Sequence, residues 1–403
     1  MTATSPLTGP VPLPGSPRPA RQRGSRLLPA ILALALGSFA IGTTEFSIMG
    51  LLPQAVADLD VSLQTGGVLI SMYALGVVVG APLLAAGLAR FDRRRAAMVL
   101  MTLFLIGHLL SIWAPTIETM MAARFISGLP HGAFFSAAAL AAAHLAGPAR
   151  RGQAVGWVMA GLSVANLLGV PVATALGQAA GWRWMFVLVA GVALACILAT
   201  LWLVPDVPAP EGTSIRSELS GLLSPVLWKI AAVGVIGFAG MFALYTYITP
   251  LLTDVGGLEA RWVPLVLALY GVGMVAGTLI GGALTDRDPV GTLRWSFTGA
   301  AVFLALVWLL SPWWWAMLVP LFLVALTASG IAPALQVLLV DAAPRSPQLA
   351  GSLNHSALNM ANAMGAWVGA AAIGAGFSAA VPSLLGAGIA VLGVVLAFTL
   401  IRR

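Results

Sequence analysis

The sequence predicts an all-α membrane protein of twelve transmembrane helices in two six-helix halves, with both termini cytoplasmic. Composition is the first observation behind this: 60% of the 403 residues are hydrophobic and 8% charged, whereas soluble domains carry roughly 25% charge. The second is the form of the apolar runs. Their mean hydropathy is high, +0.98 over the chain, and they are long and Gly-rich, as a helical span of ~20 apolar residues requires and as the alternating strands of a β-barrel do not. The third is a count. With a Pro-rich polar tail (1–26) and a polar central loop (205–226) set aside, about 360 residues at about 30 per helix and connection give twelve spans. Helices 27–204 and 227–403 then form the two halves.

The elements follow in order. The first, 27–52, leaves the basic tail and stops at Pro53. The second, 64–89, ends at Arg90, and the third, 96–114, starts beyond Arg93, Arg94 and Arg95. The fourth, 118–143, carries Arg124 inside it; the fifth, 152–179, follows Arg150 and Arg151; the sixth, 183–204, contains Cys196, the one cysteine. Beyond the central loop come 227–252, 262–285 between Arg261 and Arg287, 292–311, and 313–340, which opens on Trp313, Trp314 and Trp315 as interfacial anchors. The last two are 348–376 and 380–401, the latter reaching Arg402 and Arg403.

Charge placement fits this order. Of 20 basic residues, Arg124 lies within a helix, Arg183 and Arg261 fall in outside loops, and the other seventeen lie on the side of the N-terminus. This is the positive-inside bias of a multi-pass protein of the cytoplasmic membrane. A nucleic-acid surface would need those arginines contiguous, and they are scattered over short segments. A single cysteine allows no intrachain disulfide, and the first apolar run, a full span without a small-residue cleavage site, does not read as a signal peptide.

The halves repeat. A shift of 197 residues aligns Pro53 with Pro250, Tyr73 with Tyr270, Gly76 with Gly273, Gly80 with Gly277 and Arg90 with Arg287; a shift of 196 aligns Ala165-Asn166 with Ala361-Asn362. Two six-helix halves in parallel orientation suit a transporter that rocks about a central site.

Several segments carry a family resemblance. Ala85-Ala86-Gly87-Leu88-Ala89-Arg90-Phe91-Asp92-Arg93-Arg94 resembles the loop signature of the major facilitator superfamily, with Ala85 and Ala89 at its Gly and Asp positions; the other half has Gly282 followed by Asp286 and Arg287. The resemblance implies the major facilitator fold and a cytoplasmic latch at Arg90, Arg93, Arg94, Asp286 and Arg287. Gly161, Asn166, Gly169, Pro171 and Gly177 are similar to the antiporter signature of the superfamily's exporters, with Val170 and Ala173-Thr174 where glycines often stand. The segments 44–53, 128–135 and 353–359 resemble the arabinose-efflux-permease and chloramphenicol-exporter branch of the drug:proton antiporters. That implies small-molecule and proton partners in a lipid bilayer.

Ionisable side chains in a bilayer cost at least ~2.5 kcal/mol on insertion scales and so face a cavity or a partner. Glu45 and Arg124 lie at equal depth, about six or seven residues from one membrane face, near enough for a charge pair or a proton-switched one. Burial and the Arg124 charge act on the Glu45 carboxyl in opposite senses, so its proton could be exchanged as their spacing changes. A neutral acid bonded to a carbonyl, or a static bridge, is the alternative. Ser38, Gly42, Glu45 and Met49 share one face of the first helix; Arg124, Gly128, His131 and Phe135 share one of the fourth. His131 could relay the proton or satisfy a carbonyl freed beside Pro130. Phe134, Phe135, Tyr245, Gln336, His355, Asn359 and Asn362 are candidates for lining the substrate cavity, and the amides equally for bonding helix to helix. Gly161, Ala165, Gly169, Ala173 and Gly177 form a smooth ridge that permits close helix contact; the resemblance implies that it seals the seam between halves, and simple helix packing is the alternative.

These residues describe a secondary exporter: a monomer, driven by a proton gradient without a cofactor or metal, moving a drug such as chloramphenicol, a sugar or a metabolite outward by alternating access. A proton-coupled importer, or from another class a channel or receptor, is the alternative. No HExxH, GxSxG, phosphate loop or carboxylate cluster suggests an enzyme.

Overall fold

The computed structural model describes residues 24–88, 90–147, 150–208, 223–343, 346–398 and 400. Most of the 1–26 tail, most of the central loop, and Ala89, Arg216, Arg345, Arg402 and Arg403 lie outside the described residues. Among those described, every regular element is helical. Eleven stretches are long and apolar enough to cross a membrane. The helix Pro347–Gly374 has comparable length, 28 residues, but is not among the eleven; Asn354, His355, Asn359 and Asn362 lower its hydropathy.

The elements are α1 (Gly24–Gly50), α2 (Leu52–Asp58), α3 (Leu63–Leu88), α4 (Arg93–Trp113), α5 (Ile117–Gly128), α6 (His131–Ala146), α7 (Arg151–Val164), α8 (Val170–Ala180), α9 (Arg183–Leu203), α10 (Pro225–Thr246), α11 (Val263–Thr285), α12 (Pro289–Leu310), α13 (Trp314–Ala328), α14 (Ile331–Ala342), α15 (Pro347–Gly374) and α16 (Val381–Phe398). Their outward surface is apolar, with Leu83, Trp113, Trp202 and Leu279 all exposed, as lipid contact demands.

Prolines divide several expected single helices, because each lacks an N–H and its ring crowds the carbonyl four residues back. Pro130 separates α5 from α6, and Pro333 follows the break at Ser329–Gly330 between α13 and α14. Pro250 follows the break at Tyr247, after which the chain enters a π turn at Leu251–Val255. Pro171 follows the π turn Ala165–Gly169 that joins α7 to α8. Pro53 begins a separate α2 where the sequence suggested the end of one helix and a loop.

Contacts follow the 197-residue offset. A Cβ at Gly76 would lie 2.2 Å from the Phe125 carbonyl oxygen and one at Gly80 2.1 Å from that of Leu129. In α11 and α13, a Cβ at Gly273 would lie 2.6 Å from the oxygen of Phe322 and one at Gly277 2.0 Å from that of Leu326. All four pairs match at the offset, so α3 meets α5 as α11 meets α13. Only a hydrogen fits at such backbone approaches.

Helices preceding the central loop meet those following it along α3 and α15, and where α11 lies on α8 and its π turn. At the α2 end, Thr249 Oγ1 donates to the carbonyl of Gly50 at 3.1 Å, Gln178 donates to that of Ala260 at 3.0 Å, and Gly67 lies under the Tyr247 hydroxyl. At the other end of α3 and α11, a Cβ at Gly87 or Gly282 would meet nothing within 4 Å.

The α2 end is also clamped by polar groups. Asp58 accepts hydrogen bonds from Arg183 and from the indole of Trp182, and Arg183 donates to the Ala114 carbonyl at 3.0 Å. The Arg183 bond holds the Asp58 carboxyl below its ordinary value.

Two outcomes are expected. Gly80→Val should destabilise the detergent-solubilised protein by about 1–3 kcal/mol, an overpacking cost, whereas Gly87→Val should leave it unchanged; thermal unfolding measures both. For Asp58, a depressed carboxyl contributes stability above its unfolded value of about 3.9 and loses it as pH falls through the lower folded value. Asp58→Asn should therefore lower the melting temperature at pH 7, and the difference should close below about pH 4.

Candidate functional site

The polar centre is built where α1, α3, α4, α5 and α6 converge. Gly128 sits against the Tyr73 backbone, a Cβ there lying 2.2 Å from the Tyr73 oxygen. This approach brings the Tyr73 ring under the Arg124 guanidinium, 4.3 Å from ring centre to Cζ, and its hydroxyl within 3.0 Å of His131 Nδ1. Arg124, His131 and Phe135 thus lie on one face as expected, turned toward α3 and α15. Arg124 is fully buried and donates from Nη1 to Thr44 Oγ1 at 3.1 Å; its Nε and Nη2 have no hydrogen-bond partner.

Glu45 is 7% exposed and sits one residue from that threonine. Equal depth with Arg124 is found, but a direct ion pair is not: among the described residues, the pairs within 4.0 Å are Arg94–Asp206, Arg183–Asp58 and Arg261–Glu259. Thr44 holds the guanidinium instead, and no hydrogen bond to Glu45 is found among the described residues. Its carboxyl is near a cation without being bound to it. Ser38 and Gly42 turn elsewhere, toward Gly161, Leu162 and Ala165.

From His131 the cluster crosses to the second set of helices. His131 and His355 have ring centres 5.6 Å apart, and Phe135 stacks on His355 at 4.7 Å. Asn359 donates to the His355 carbonyl at 3.1 Å and keeps its own oxygen unpartnered; Asn362 is fully buried with both amide atoms unpartnered. Tyr245 packs on Phe46 and on Tyr270, whose hydroxyl also lacks a partner. Gln336 is half-buried and reaches Gly351. Phe134 is not brought into this group: its ring covers Gly37 and touches the space near Met101, within the packing of α1, α4 and α6.

The glycine ridge faces a different neighbour from the expected one. Cβ atoms at Gly161, Gly169 and Gly177 would strike Ala35, Thr43 and Leu51, all on or just after α1. The seam contact comes from the adjacent backbone, where Gly271 of α11 lies against the Asn166 carbonyl. The ridge therefore locks α7 and α8 to α1, while the π turn before Pro171 presents the Asn166 carbonyl to α11. The latch residues are likewise engaged locally. Arg94 pairs with Asp206 at 2.9 Å and donates to the Leu201 carbonyl, Arg93 N–H donates to the Val207 carbonyl at 2.9 Å, and Arg90 lies over Phe91. Asp286 and Arg287 are exposed at the corresponding end of α11.

Four site residues were not anticipated. Thr44 and His108 join Arg124 in one hydrogen-bonded chain, and Tyr73 and Tyr270 stand at matching places in the two halves. The tyrosine match at the offset was the available signal for the last two. For His108 it was the presence of an ionisable group within an apolar span.

The profile of the Major Facilitator Superfamily matches residues 34–293. The chain belongs to the major facilitator superfamily. It is 37% identical over 377 residues to the inner membrane transport protein YdhP of Escherichia coli (strain K12), covering 93% of this chain and 96% of that one. It is 32% identical over 341 residues to the E. coli transporter AraJ, covering 84% and 86%, and 31% identical over 348 residues to the chloramphenicol resistance protein of Streptomyces lividans, covering 85% and 88%. These relatives agree with the arabinose-efflux and chloramphenicol-exporter-like branch read from the residues. This superfamily member is a multi-pass inner-membrane transporter of small molecules and not an enzyme.

Gly169→Leu would drive a branched side chain into Thr43 and Phe39. Transport should fall at least tenfold with the protein still membrane-inserted, as measured by flux normalised to the amount in the membrane. Phe134→Leu, by contrast, should act through stability and leave substrate preference unchanged.

Proposed function

We propose that this transporter exports a small organic molecule in exchange for protons, through alternating access of two six-helix units, 27–204 and 227–403, that work as a monomer with both termini cytoplasmic. The observation that carries the reading is Glu45: buried, with no hydrogen bond among the described residues, and in the field of a cation whose Nε and Nη2 have no hydrogen-bond partner. A carboxyl so placed has two competing arrangements, neutral and unbound or ionised and drawn to Arg124. A change of spacing between helices selects one of them.

Three further features support it. His131 and His355 face one another across the seam, which gives a proton or ligand at Glu45 a route to the other unit. Unpartnered oxygens and N–H groups on Asn359, Asn362 and Tyr270, together with the rings of Phe135 and Tyr245, suit a ligand with both an aromatic or apolar body and hydrogen-bonding groups. Contacts concentrate at the α2 end, which the distribution of arginines assigns to the outside. A transporter closed outside is poised to load from the cytoplasm. The latch residues and the loops holding them lie at the loading end. Substrate candidates are a drug such as chloramphenicol, a sugar or a metabolite; two of the relatives are named for chloramphenicol resistance and for sugar efflux.

The test uses everted membrane vesicles with an acidified interior and a pH-sensitive dye, challenged with chloramphenicol, arabinose and a dye panel. Substrate-dependent proton release is expected, and Glu45→Gln should abolish it, with at least a tenfold loss at unchanged membrane content. Proton movement only in the uptake sense would establish an importer. Full coupling in Glu45→Gln would remove that residue from the mechanism.

A further inference from the structure

His108 is fully buried in α4, and so are the two groups it is linked to, Thr44 of α1 and Arg124 of α5. Its Nδ1 lies 2.8 Å from the Phe104 carbonyl oxygen and its Nε2 lies 2.8 Å from Thr44 Oγ1. A carbonyl oxygen can only accept, so Nδ1 carries the hydrogen. In the neutral ring Nε2 is then an acceptor, and the Thr44 hydroxyl donates to it. With its hydrogen committed, the Thr44 oxygen offers lone pairs to the remaining neighbour, Arg124 Nη1 at 3.1 Å. The three bonds are thus mutually consistent, running from Arg124 Nη1 to Thr44 to His108 and closing on the α4 backbone. A doubly protonated His108 would instead aim two donors at one threonine oxygen and leave the threonine hydrogen unplaced.

The ring is held as well as bonded. Phe104 lies 4.1 Å from it and Phe186 6.0 Å, and Phe186 is also 5.9 Å from the Arg124 guanidinium carbon. Arg124 therefore has one nitrogen tethered on the α1–α4 side and its plane laid on Tyr73. Nε and Nη2 are the groups left for an exchanging partner.

We propose that His108 is a positioning residue for Arg124: acting through the Thr44 hydroxyl, it fixes which guanidinium nitrogen is tethered and which ones face Glu45 or a bound solute. This rests on the coupling role proposed above for Arg124. It adds that the tether stays in place while the partner at Nε and Nη2 changes. A side chain as long as arginine would otherwise follow Glu45, and the charge would move with the carboxylate instead of meeting it.

The experiment reads the tether directly and needs no substrate. Full-length protein labelled with ¹⁵N-arginine is placed in nanodiscs of phosphatidylethanolamine and phosphatidylglycerol, and the Arg124 signals are assigned by their loss in Arg124→Lys. Slow rotation of the guanidinium, with distinct Nη signals, is expected in the native protein. His108→Phe and Thr44→Val should each speed that rotation at least tenfold. His108→Gln, whose amide can accept from Thr44 while donating to the Phe104 carbonyl, should restore slow rotation. Thr44→Val stands in if His108→Phe does not fold. Unchanged rotation in both tether variants, or a His108→Gln protein as fast as His108→Phe, would overturn the proposal. The coupling role of Arg124 fails on a different reading: proton-linked export by Arg124→Lys at native rates would remove it, whatever the rotation shows.

Discussion

A guanidinium with no exposure in the middle of a helical bundle is the demand around which this molecule is arranged. On insertion scales such a group costs about 2.5–3.5 kcal/mol at the centre of a membrane helix. Arg124 offsets that cost without a carboxylate: Thr44 accepts one hydrogen bond, Tyr73 lies beneath the plane, and Phe186 closes one side. Each comes from a different helix, so solvating one charge fixes α1, α3 and α9 around α5. The tyrosine reaches its place because Gly76 and Gly128 let α3 and α5 touch backbone to backbone. Glycine packing and buried charge are therefore one constraint. A wider spacing would withdraw the ring from Arg124 and the hydroxyl from His131 together.

The repeat shares this packing but not its chemistry. At the 197-residue offset, Glu45, His108, Arg124 and His131 correspond to Phe242, Ala305, Leu321 and Ala328, while Tyr73 corresponds to Tyr270, Gly76 and Gly80 to Gly273 and Gly277, and Gly128 to Ala325. The second half retains the helix approach and has lost every ionisable group that the approach serves in the first. Its tyrosine, accordingly, has a hydroxyl without a partner, where Tyr73 has His131. What the second half offers the centre is aromatic surface, amides and one imidazole, His355, which meets His131. In the proposed cycle the carboxyl and the guanidinium lie on one side and most of the neutral hydrogen-bonding groups on the other, with the histidine pair between them.

The sequence was most legible where a rule depends on composition or local spacing. Apolar length found the spans, and the cost of burying charge singled out Glu45, Arg124 and His131 before their neighbours were known. Offset matching found Tyr73, Tyr270 and the glycines of α3 and α11; those glycines make equivalent contacts, while the two tyrosines differ in their partners. Spacing could not say which neighbour a ridge would meet, so the Gly161–Gly177 stripe was expected at the seam and lies against α1. Equal depth brought Glu45 and Arg124 together but could not register that Thr44, one residue earlier, takes the hydrogen bond. Adjacent Phe134 and Phe135 were indistinguishable until the turn of α6 sent one toward Gly37 and the other to His355. His108 escaped because its importance lies in a chain of three residues from three helices, none of them near in sequence.

The seam itself is graded along its length. At one end side chains join the two sets of helices through hydrogen bonds such as Thr249 to Gly50 and Gln178 to Ala260, contacts worth about 0.5–1.5 kcal/mol each. Midway, the Gly271 backbone rests directly on the Asn166 carbonyl, at the turn that Pro171 forces into π geometry. An opening motion could break the first kind of contact at modest cost. The second has no side chain to yield and can only be rotated about. In the proposed cycle the fulcrum therefore falls at Gly271 and Asn166, and parting the closed end breaks these hydrogen bonds together with the packing of Gly67 under Tyr247 and of Gly50 against Leu267. Helix α1 joins the two features: it carries Glu45, the proposed coupling group, and its Thr43 lies against Gly169 of the same turn, so the proposed coupling group and the proposed fulcrum share one neighbouring helix.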